Sequence, residues 1–386
     1  MSKNTYHISI FTGKRGGFNH FIPIIEKIEQ SNVLSFSIIA SDMHLSSHFG
    51  NTIESVEKFA KTVYKINTIS ESDTKLERSI SIGKGIIEYS KLLDSVKPDL
   101  VFVLGDRGEV LAFSIAALEL NIPIIHLFGG DVTQGGVDEP VRHAITKIAN
   151  IHLTSNKESA DRILKMGEEP WRIHNVGSPV LDLIKQQRFT SKNALLDKYN
   201  IIQDKPIFLL LQHSVTWQVD QAEFQIIETL EAINQMNNCQ TIAIYPCSDP
   251  GYRPIIQHLL NSANRPNFSV YKNIEVEDFW GLMNISDVFI GNSSAGVMET
   301  ASFKIPFVNI GIRQEGRLRA DNVIDVDHDR QKITKAIEKA LYEPLFKQQI
   351  QNCISPYGDG TSSQKIVSIL ENLKIDSKLI QKKLSY

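Results

Sequence analysis

Cysteine is scarce in this chain of 386 residues: only Cys239, Cys247 and Cys353 occur, and no two form a C-x-x-C pair. That speaks against a disulfide framework or a structural zinc site and suits a reducing compartment. No apolar run reaches membrane-spanning length, and the opening "MSKNTYHISIFTGKRGG" lacks the basic-then-apolar order of a secretory signal. The chain is therefore expected to be cytoplasmic, with no membrane partner. Net charge is small as well, -3 at neutral pH, which leaves no broad basic field to attract nucleic acid. There is no G-x-x-x-x-G-K-S/T phosphate loop, and "GKRGGF" is not G-x-G-x-x-G. An ATPase and a nicotinamide enzyme both lose support.

What is present is an α/β pattern in two rounds. "HISIF" (7–11), "SFSIIA" (35–40), "DLVFVLG" (99–105), "IPIIHL" (122–127) and "IHLTS" (151–155) read as strands, separated by helix-period segments such as "FIPIIEKIEQ" and "EVLAFSIAALEL". The pattern restarts at "PIFLLLQ" (206–212) and continues through "QTIAIYP" (240–246), "DVFIG" (287–291), "PFVNIG" (306–311) and "NVIDV" (322–326). Strands alternating with helices predict doubly wound parallel sheets, and the length suits two domains. The polar stretch "KQQRFTSKNALLDKYNIIQDKP" marks the junction. The expected domains are 1–185 and 186–365, with a helical tail, 366–386, packing back on the first. Ligands of such sheets bind beyond the carboxyl ends of the strands, so a cleft lined by both sets of strand ends is expected.

In "GNSSAGVMET" a strand ends at Gly291, and Asn292, Ser293 and Ser294 open a helix. Small residues, two hydroxyls and a helix N-terminus suit a diphosphate; Glu299, a turn further on, suits a ribose diol. Plain helix capping explains one of these residues but not the set. "TGKRGGF" carries Lys14 and Arg15 on a second glycine-rich turn, and "GIRQEGR" carries Arg313. Each is a candidate phosphate clamp or a solvated turn. Asp106 and Arg107 in "VLGDRGE", and His213 in "LLLQHSVTW", stand at strand ends.

The most crowded stretch is "HLFGGDVTQGGVDEPVRH", His126 to His143, with three carboxylates, two histidines and an arginine. Asp138 is expected to cap the helix that follows, with Pro140 in its first turn and Val141, Ile145 and Ile148 facing the core. That leaves Glu139, Arg142 and His143 near the cleft and gives Asp131 no structural duty.

"LGDR", "HLFGGDVTQGGVDEPVRHAITKIA", "LQHSVT", "GNSSAGVMET", "GIRQEGR" and "PYGDG" together resemble the hydrolysing UDP-N-acetylglucosamine 2-epimerases of sialic acid synthesis, over nearly the whole chain. The resemblance implies a GT-B fold of two Rossmann-like domains, a UDP-sugar substrate, no cofactor and no metal. It also implies a homodimer or dimer of dimers. Position by position, Arg15, Arg107, His213, Ser293, Ser294, Glu299 and Arg313 match contacts to UDP. Asp106, Asp131, Asp138 and Glu139 match carboxylates implicated in catalysis, with His213 toward the leaving group. Phe128 departs from the pattern: animal relatives have glutamate there, and here the aromatic ring is expected to be a pocket wall.

For such an enzyme, loss of UDP from C1 makes the C2 proton removable. Elimination gives 2-acetamidoglucal; water then adds, with the proton returning to C2 from the opposite face, to give N-acetylmannosamine and UDP. The alternative substrate is UDP-N,N'-diacetylbacillosamine, on the way to legionaminic acid. A non-hydrolysing epimerase, a GT-B glycosyltransferase and an inactive UDP-sugar sensor rank behind both.

Overall fold

A computed structural model of the chain describes residues 5–69, 74–133, 136–202, 204–236 and 238–386. Gln134 and Gly135 of the acid-rich loop lie outside the described residues. The chain forms two compact units, the first built from the residues up to Val132, Val137–Leu183 and Tyr357–Tyr386, the second from Ile184–Pro356 together with Thr133 and Gly136.

In the first unit, β1 (Tyr6–Thr12), β2 (Leu34–Ser41), β3 (Val63–Ile66), β4 (Leu100–Leu104), β5 (Ile124–Leu127), β6 (Ile151–Thr154) and β7 (Ile173–Asn175) make one parallel sheet. Its order is β3-β2-β1-β4-β5-β6-β7. The chain winds outward from β1, returns, and winds the other way from β4, so the order reverses between β1 and β4. The loops leaving those two strands carry Arg15 and Asp106, beside the crevice where open sheets bind ligands. One face of the sheet is sealed by Phe11, Val101 and Val103 against Tyr89, Leu93 and Phe113. Phe11 and Phe113 stack with ring centres 4.5 Å apart.

In the second unit, β8 (Ile207–Leu211), β9 (Gln240–Ile244), β10 (Phe268–Tyr271), β11 (Val288–Gly291), β12 (Phe307–Ile310) and β13 (Val323–Val326) are again all parallel. The order β10-β9-β8-β11-β12-β13 reverses between β8 and β11. Gln212–His213 and Asn292–Ser293 leave those strands. Gly291 has φ +130, and its Cα faces the Leu211 carbonyl so closely that any Cβ would overlap it. Only glycine lets β11 turn there.

Three observed strands have no counterpart in the sequence reading, namely β3, β7 and β10. All are sheet edges and only partly buried, so they lack the continuous apolar signal of strands covered on both faces.

The second domain also ends earlier than residue 365. Residues 357–365 belong to the first unit, because the Ser178 amide donates to the Tyr357 carbonyl at 2.7 Å. Asp182 then accepts from the amides of Ser362 and Ser363, at 2.9 and 2.7 Å. A carboxylate on those amides anchors the helix Ser362–Asn372 by its N-terminus, and this helix packs on the helix Arg15–Ile28. Among the described residues no helix is long and apolar enough to cross a membrane.

Candidate active site

The acids of the first unit gather around one buried cation. The helix Asp138–Ile148 starts with Val137 at its cap position and no side-chain cap. Asp138 is therefore not the expected cap but the first helical residue, beside Glu139 in the opening turn. Ile145 is fully buried and Val141 and Ile148 pack against the core, as the periodicity predicts. This spacing turns Arg142 inward, where it is 0% exposed.

Nη2 of Arg142 is hydrogen-bonded to Oδ2 of Asp106. Its Nη1 donates to Glu139 Oε2 at 3.0 Å and to the Asp131 carbonyl at 2.9 Å. Burial works against a charged guanidinium, but Asp106, Asp131 and Asp138 outweigh it and raise the arginine's proton affinity. It is a permanent positive charge among four carboxylates. Glu139 Oε1 also meets His143 Nε2 at 3.1 Å. From the sequence Arg142 is expected near the cleft with no role attached; its place as the hub depends on contacts from three separate segments.

Asp131 turns out to have a structural duty. It is buried, and its Oδ1 accepts from the hydroxyls of Ser155 at 2.5 Å and Ser159 at 2.7 Å. Its Oδ2 is buried with no hydrogen-bond partner among the described residues. Ser155 follows β6, and Ser159 lies in the next helix, Lys157–Lys165, capped by Asn156. Neither serine carried a sequence signal.

Phe128 follows β5 with φ +68, a left-handed backbone rare for a bulky residue. Its amide donates to the Leu153 carbonyl at 2.9 Å, extending the β5–β6 ladder through the turn. The ring is buried and meets His20 edge-on, 4.8 Å between centres. Strain of this kind persists where packing over-determines it, often at functional sites. His126, two residues earlier, is fully buried and donates through Nε2 to the Gly105 carbonyl at 2.7 Å. Burial lowers its pKa to about 3, so it is a neutral brace behind Asp106.

Arg107, matched to UDP by resemblance, is engaged inside the first unit. Its Nε holds Glu109 Oε1 at 2.6 Å, and Arg78 bridges Glu109 and Asp42. Burial disfavours the Glu109 charge, yet Arg107 and Arg78 outweigh it and bring its pKa to about 2. Burial and repulsion from Glu109 instead raise Asp42. Gly13 is required here, because a Cβ would come within 2.7 Å of the Glu109 carboxylate. Arg15 opens the adjoining helix, and its charge helps to depress His44.

In the second unit, Asn292 braces the turn after β11. Its Oδ1 accepts from the His213 amide at 2.7 Å, and its Nδ2 donates to the His213 carbonyl at 2.9 Å. The His213 ring is fixed too: the Cys247 amide donates to Nδ1 at 3.0 Å. That assigns the proton to Nε2, so His213 is a hydrogen-bond donor there. Arg313 donates to the Asn292 carbonyl at 3.2 Å and pairs with Asp249 at 3.5 Å. Gln314, missed in the sequence, donates to the same carbonyl at 2.8 Å.

Ser293 caps Ser294–Met298, its hydroxyl accepting from the Ala295 amide at 3.4 Å. The expected long helix is broken: Ser294–Met298 and Thr300–Phe303 are separate, with Glu299 between them. So short a helix carries little dipole, and anion binding would rest on amides and hydroxyls. Glu299 is buried and accepts from Trp280 Nε1 at 2.8 Å. Burial raises its pKa to about 7, only partly offset by the indole.

Two parallel α/β units, each with polar residues at its order reversal, define a GT-B fold. The crystal structure of the UDP-GlcNAc 2-epimerase from Neisseria meningitidis bound to UDP-GlcNAc superposes with a TM-score of 0.80 at 21% identity, covering 94% of this chain and 99% of that one. The family model described as UDP-N-acetylglucosamine 2-epimerase matches residues 26–371, and the chain belongs to that family. The hydrolysing UDP-N,N'-diacetylbacillosamine 2-epimerase of Legionella pneumophila is 34% identical, covering 96% of this chain and 97% of that protein. A Neisseria meningitidis UDP-N-acetylglucosamine 2-epimerase is 29% identical, with 95% of each chain covered.

Proposed function

We propose that this protein is a hydrolysing 2-epimerase of UDP-N,N'-diacetylbacillosamine, releasing UDP and the free 2-epimeric sugar. The observation that carries the reaction is the convergence of Asp106, Glu139 and the Asp131 segment on buried Arg142. Elimination and rehydration both need a proton moved at C2, and a compact set of carboxylates around a fixed cation can serve both directions.

The C1–O bond to the diphosphate breaks, a carboxylate takes the C2 proton, and a 1,2-unsaturated sugar and UDP result. Water then gives its oxygen to C1, while a proton returns to C2 from the opposite face. Asp106 and Glu139 are assigned to this proton traffic with Asp131 as the further acid, and Asp138 adds its charge beside Arg142. The second unit takes the nucleotide. Arg313, Ser293, Ser294 and the Nε2–H of His213 donate to the diphosphate. Glu299 accepts from the ribose hydroxyls.

The choice of sugar is supported by the closer likeness to the diacetylbacillosamine enzyme, 34% against 29%, and by Phe128. A buried aromatic wall suits the C6 methyl and C4 acetamido groups better than hydroxyls that need partners. UDP-N-acetylglucosamine is the second reading, kept by the likeness to the Neisseria enzyme.

The test is proton NMR in D2O with each UDP-sugar alone, without acceptor. Free UDP with C2-deuterated, epimerised diacetylated sugar, formed at least tenfold faster than the N-acetylmannosamine counterpart, is the expected result. The reverse preference would move the substrate to UDP-N-acetylglucosamine. Epimerised sugar still attached to UDP would overturn hydrolysis.

A further inference from the structure

The end of the chain is tied to the back of the acid-bearing helix. Asp376 caps the short helix Ser377–Ile380, accepting from the Leu379 amide at 3.0 Å. Arg172, fully buried, then collects the carbonyls that this helix leaves unpaired. Its Nη1 donates to Leu379 at 2.9 Å, and its Nη2 to Lys378 at 2.7 Å and Gln381 at 3.2 Å. Asn150 donates to the Leu379 carbonyl as well, at 3.0 Å. An arginine spent on backbone carbonyls is a latch, because each carbonyl would otherwise be buried without a donor.

The latch delivers Lys382 to one place. Its ammonium donates to the Lys147 carbonyl at 2.6 Å and the Thr146 carbonyl at 3.4 Å. Those are among the last carbonyls of the helix Asp138–Ile148, which have no partner inside the helix. Lys382 also pairs with buried Glu168 at 2.8 Å. Glu168 in turn takes Lys147 at 2.6 Å and His152 Nε2 at 3.2 Å. Three hydrogen-bonded partners outweigh burial and bring the Glu168 pKa to about 2, so the capping lysine faces a charged carboxylate.

The capped end lies close to the acids. Thr146 donates from Oγ1 to the Arg142 carbonyl at 2.9 Å, one turn nearer the N-terminus. Arg142 holds Asp106 and Glu139. A helix is stiff along its axis, so a charge fixing one end sets the position of side chains about 6 to 8 Å away.

We infer that the C-terminal strap positions the proton-transfer machinery: Lys382, delivered by the Arg172 latch, fixes the helix that carries Glu139 and Arg142 against Asp106. Lys382 is a positioning residue, not a catalytic one. The reaction-rate part of this inference rests on the proposed function; the fixing of the helix does not.

The experiment compares wild type with Lys382→Ala and Lys382→Arg in two ways. Steady-state turnover with the preferred UDP-sugar should show kcat down by about tenfold in Lys382→Ala, with KM within about twofold and partial rescue by arginine. Hydrogen exchange of the unliganded protein should show faster exchange of the 142–149 amides in Lys382→Ala, with the β1 and β4 amides unchanged. Glu168→Gln, which keeps Lys382 but weakens its anchor, is the milder second variant and should fall between. Unchanged kcat with unchanged helix exchange would overturn the inference, and so would a uniform loss of protection throughout the first unit. If wild type turns over neither UDP-sugar, the proposed function fails, and the exchange data alone decide whether the strap fixes the helix.

Discussion

Nη2 of Arg142 is bonded to Oδ2 of Asp106, a residue 36 positions earlier, and the arginine is wholly buried while doing so. The pair joins the carboxyl end of β4 to the first turns of the helix Asp138–Ile148, and Glu139 completes it from the same helix. Charge and geometry are thereby shared: the guanidinium holds both acids at once, and its loss removes the one cation common to them.

Arg142→Met should therefore be worse than its volume suggests. Removing one partner of a buried ion cluster costs about 3–5 kcal/mol, because the remaining charges stay buried. Thermal denaturation should show a drop of many degrees, and Arg142→Lys, which keeps charge but not the fork, should lie between. C2 deuterium incorporation in Arg142→Lys should fall by at least about a hundredfold. Full exchange in that variant would remove the guanidinium from the reaction.

Asp131→Asn separates structure from chemistry. One oxygen keeps both serine hydroxyls, and the other, which has no partner among the described residues, becomes an amide. The melting temperature should change by only a few degrees, since both serine hydrogen bonds are kept. Turnover should nonetheless fall by about a hundredfold or more if this carboxylate moves a proton. Near-normal turnover would restrict Asp131 to holding Ser155 and Ser159.

Glu299 contributes stability that is lost as pH rises. Its carboxyl stays protonated in the folded protein up to about pH 7, whereas the ordinary value is 4.5. Between those values the native state holds a proton that the unfolded chain has lost, so stability present below pH 4.5 is lost as pH rises toward 7. The loss is on the order of 3 kcal/mol. In denaturant titrations the stability of wild type relative to Glu299→Gln should be greater at pH 5 than at pH 8 by this amount; the opposite contribution of the buried neutral histidines is common to both proteins and cancels in the difference. If the ionised carboxylate accepts the ribose hydroxyls, uridine, which has no phosphate to titrate, should bind more tightly at pH 8 than at pH 6. Equal affinity would separate Glu299 from the ribose.

Phe128→Ala should act mainly on selectivity. Loss of the buried ring costs about 3 kcal/mol of stability, eased little by relief of φ, since alanine is also disfavoured at +68. The ratio of kcat/KM for the diacetylated substrate over UDP-N-acetylglucosamine should fall by about tenfold. An unchanged ratio would remove Phe128 as the wall that reads the sugar.

Sequence alone was enough for the two parallel sheets and the strand ends that matter. The central strands are apolar throughout because both faces are covered, and Asp106, His213 and Asn292 follow them immediately. The edge strands β3, β7 and β10 were illegible because their half-buried pattern is that of a loop. The composition of the acid-rich loop was legible; its wiring was not. Asp138 at a helix start reads as a cap by local propensity, and only packing put Val137 there instead. Arg142, Ser155, Ser159, Trp280 and Lys382 carry no local signal, since each acts on a residue brought near by another segment. Periodicity records which face of an element is dry, a one-dimensional property set by burial. The partner of a buried charge is fixed only when separate segments meet, and that the tertiary structure alone decided.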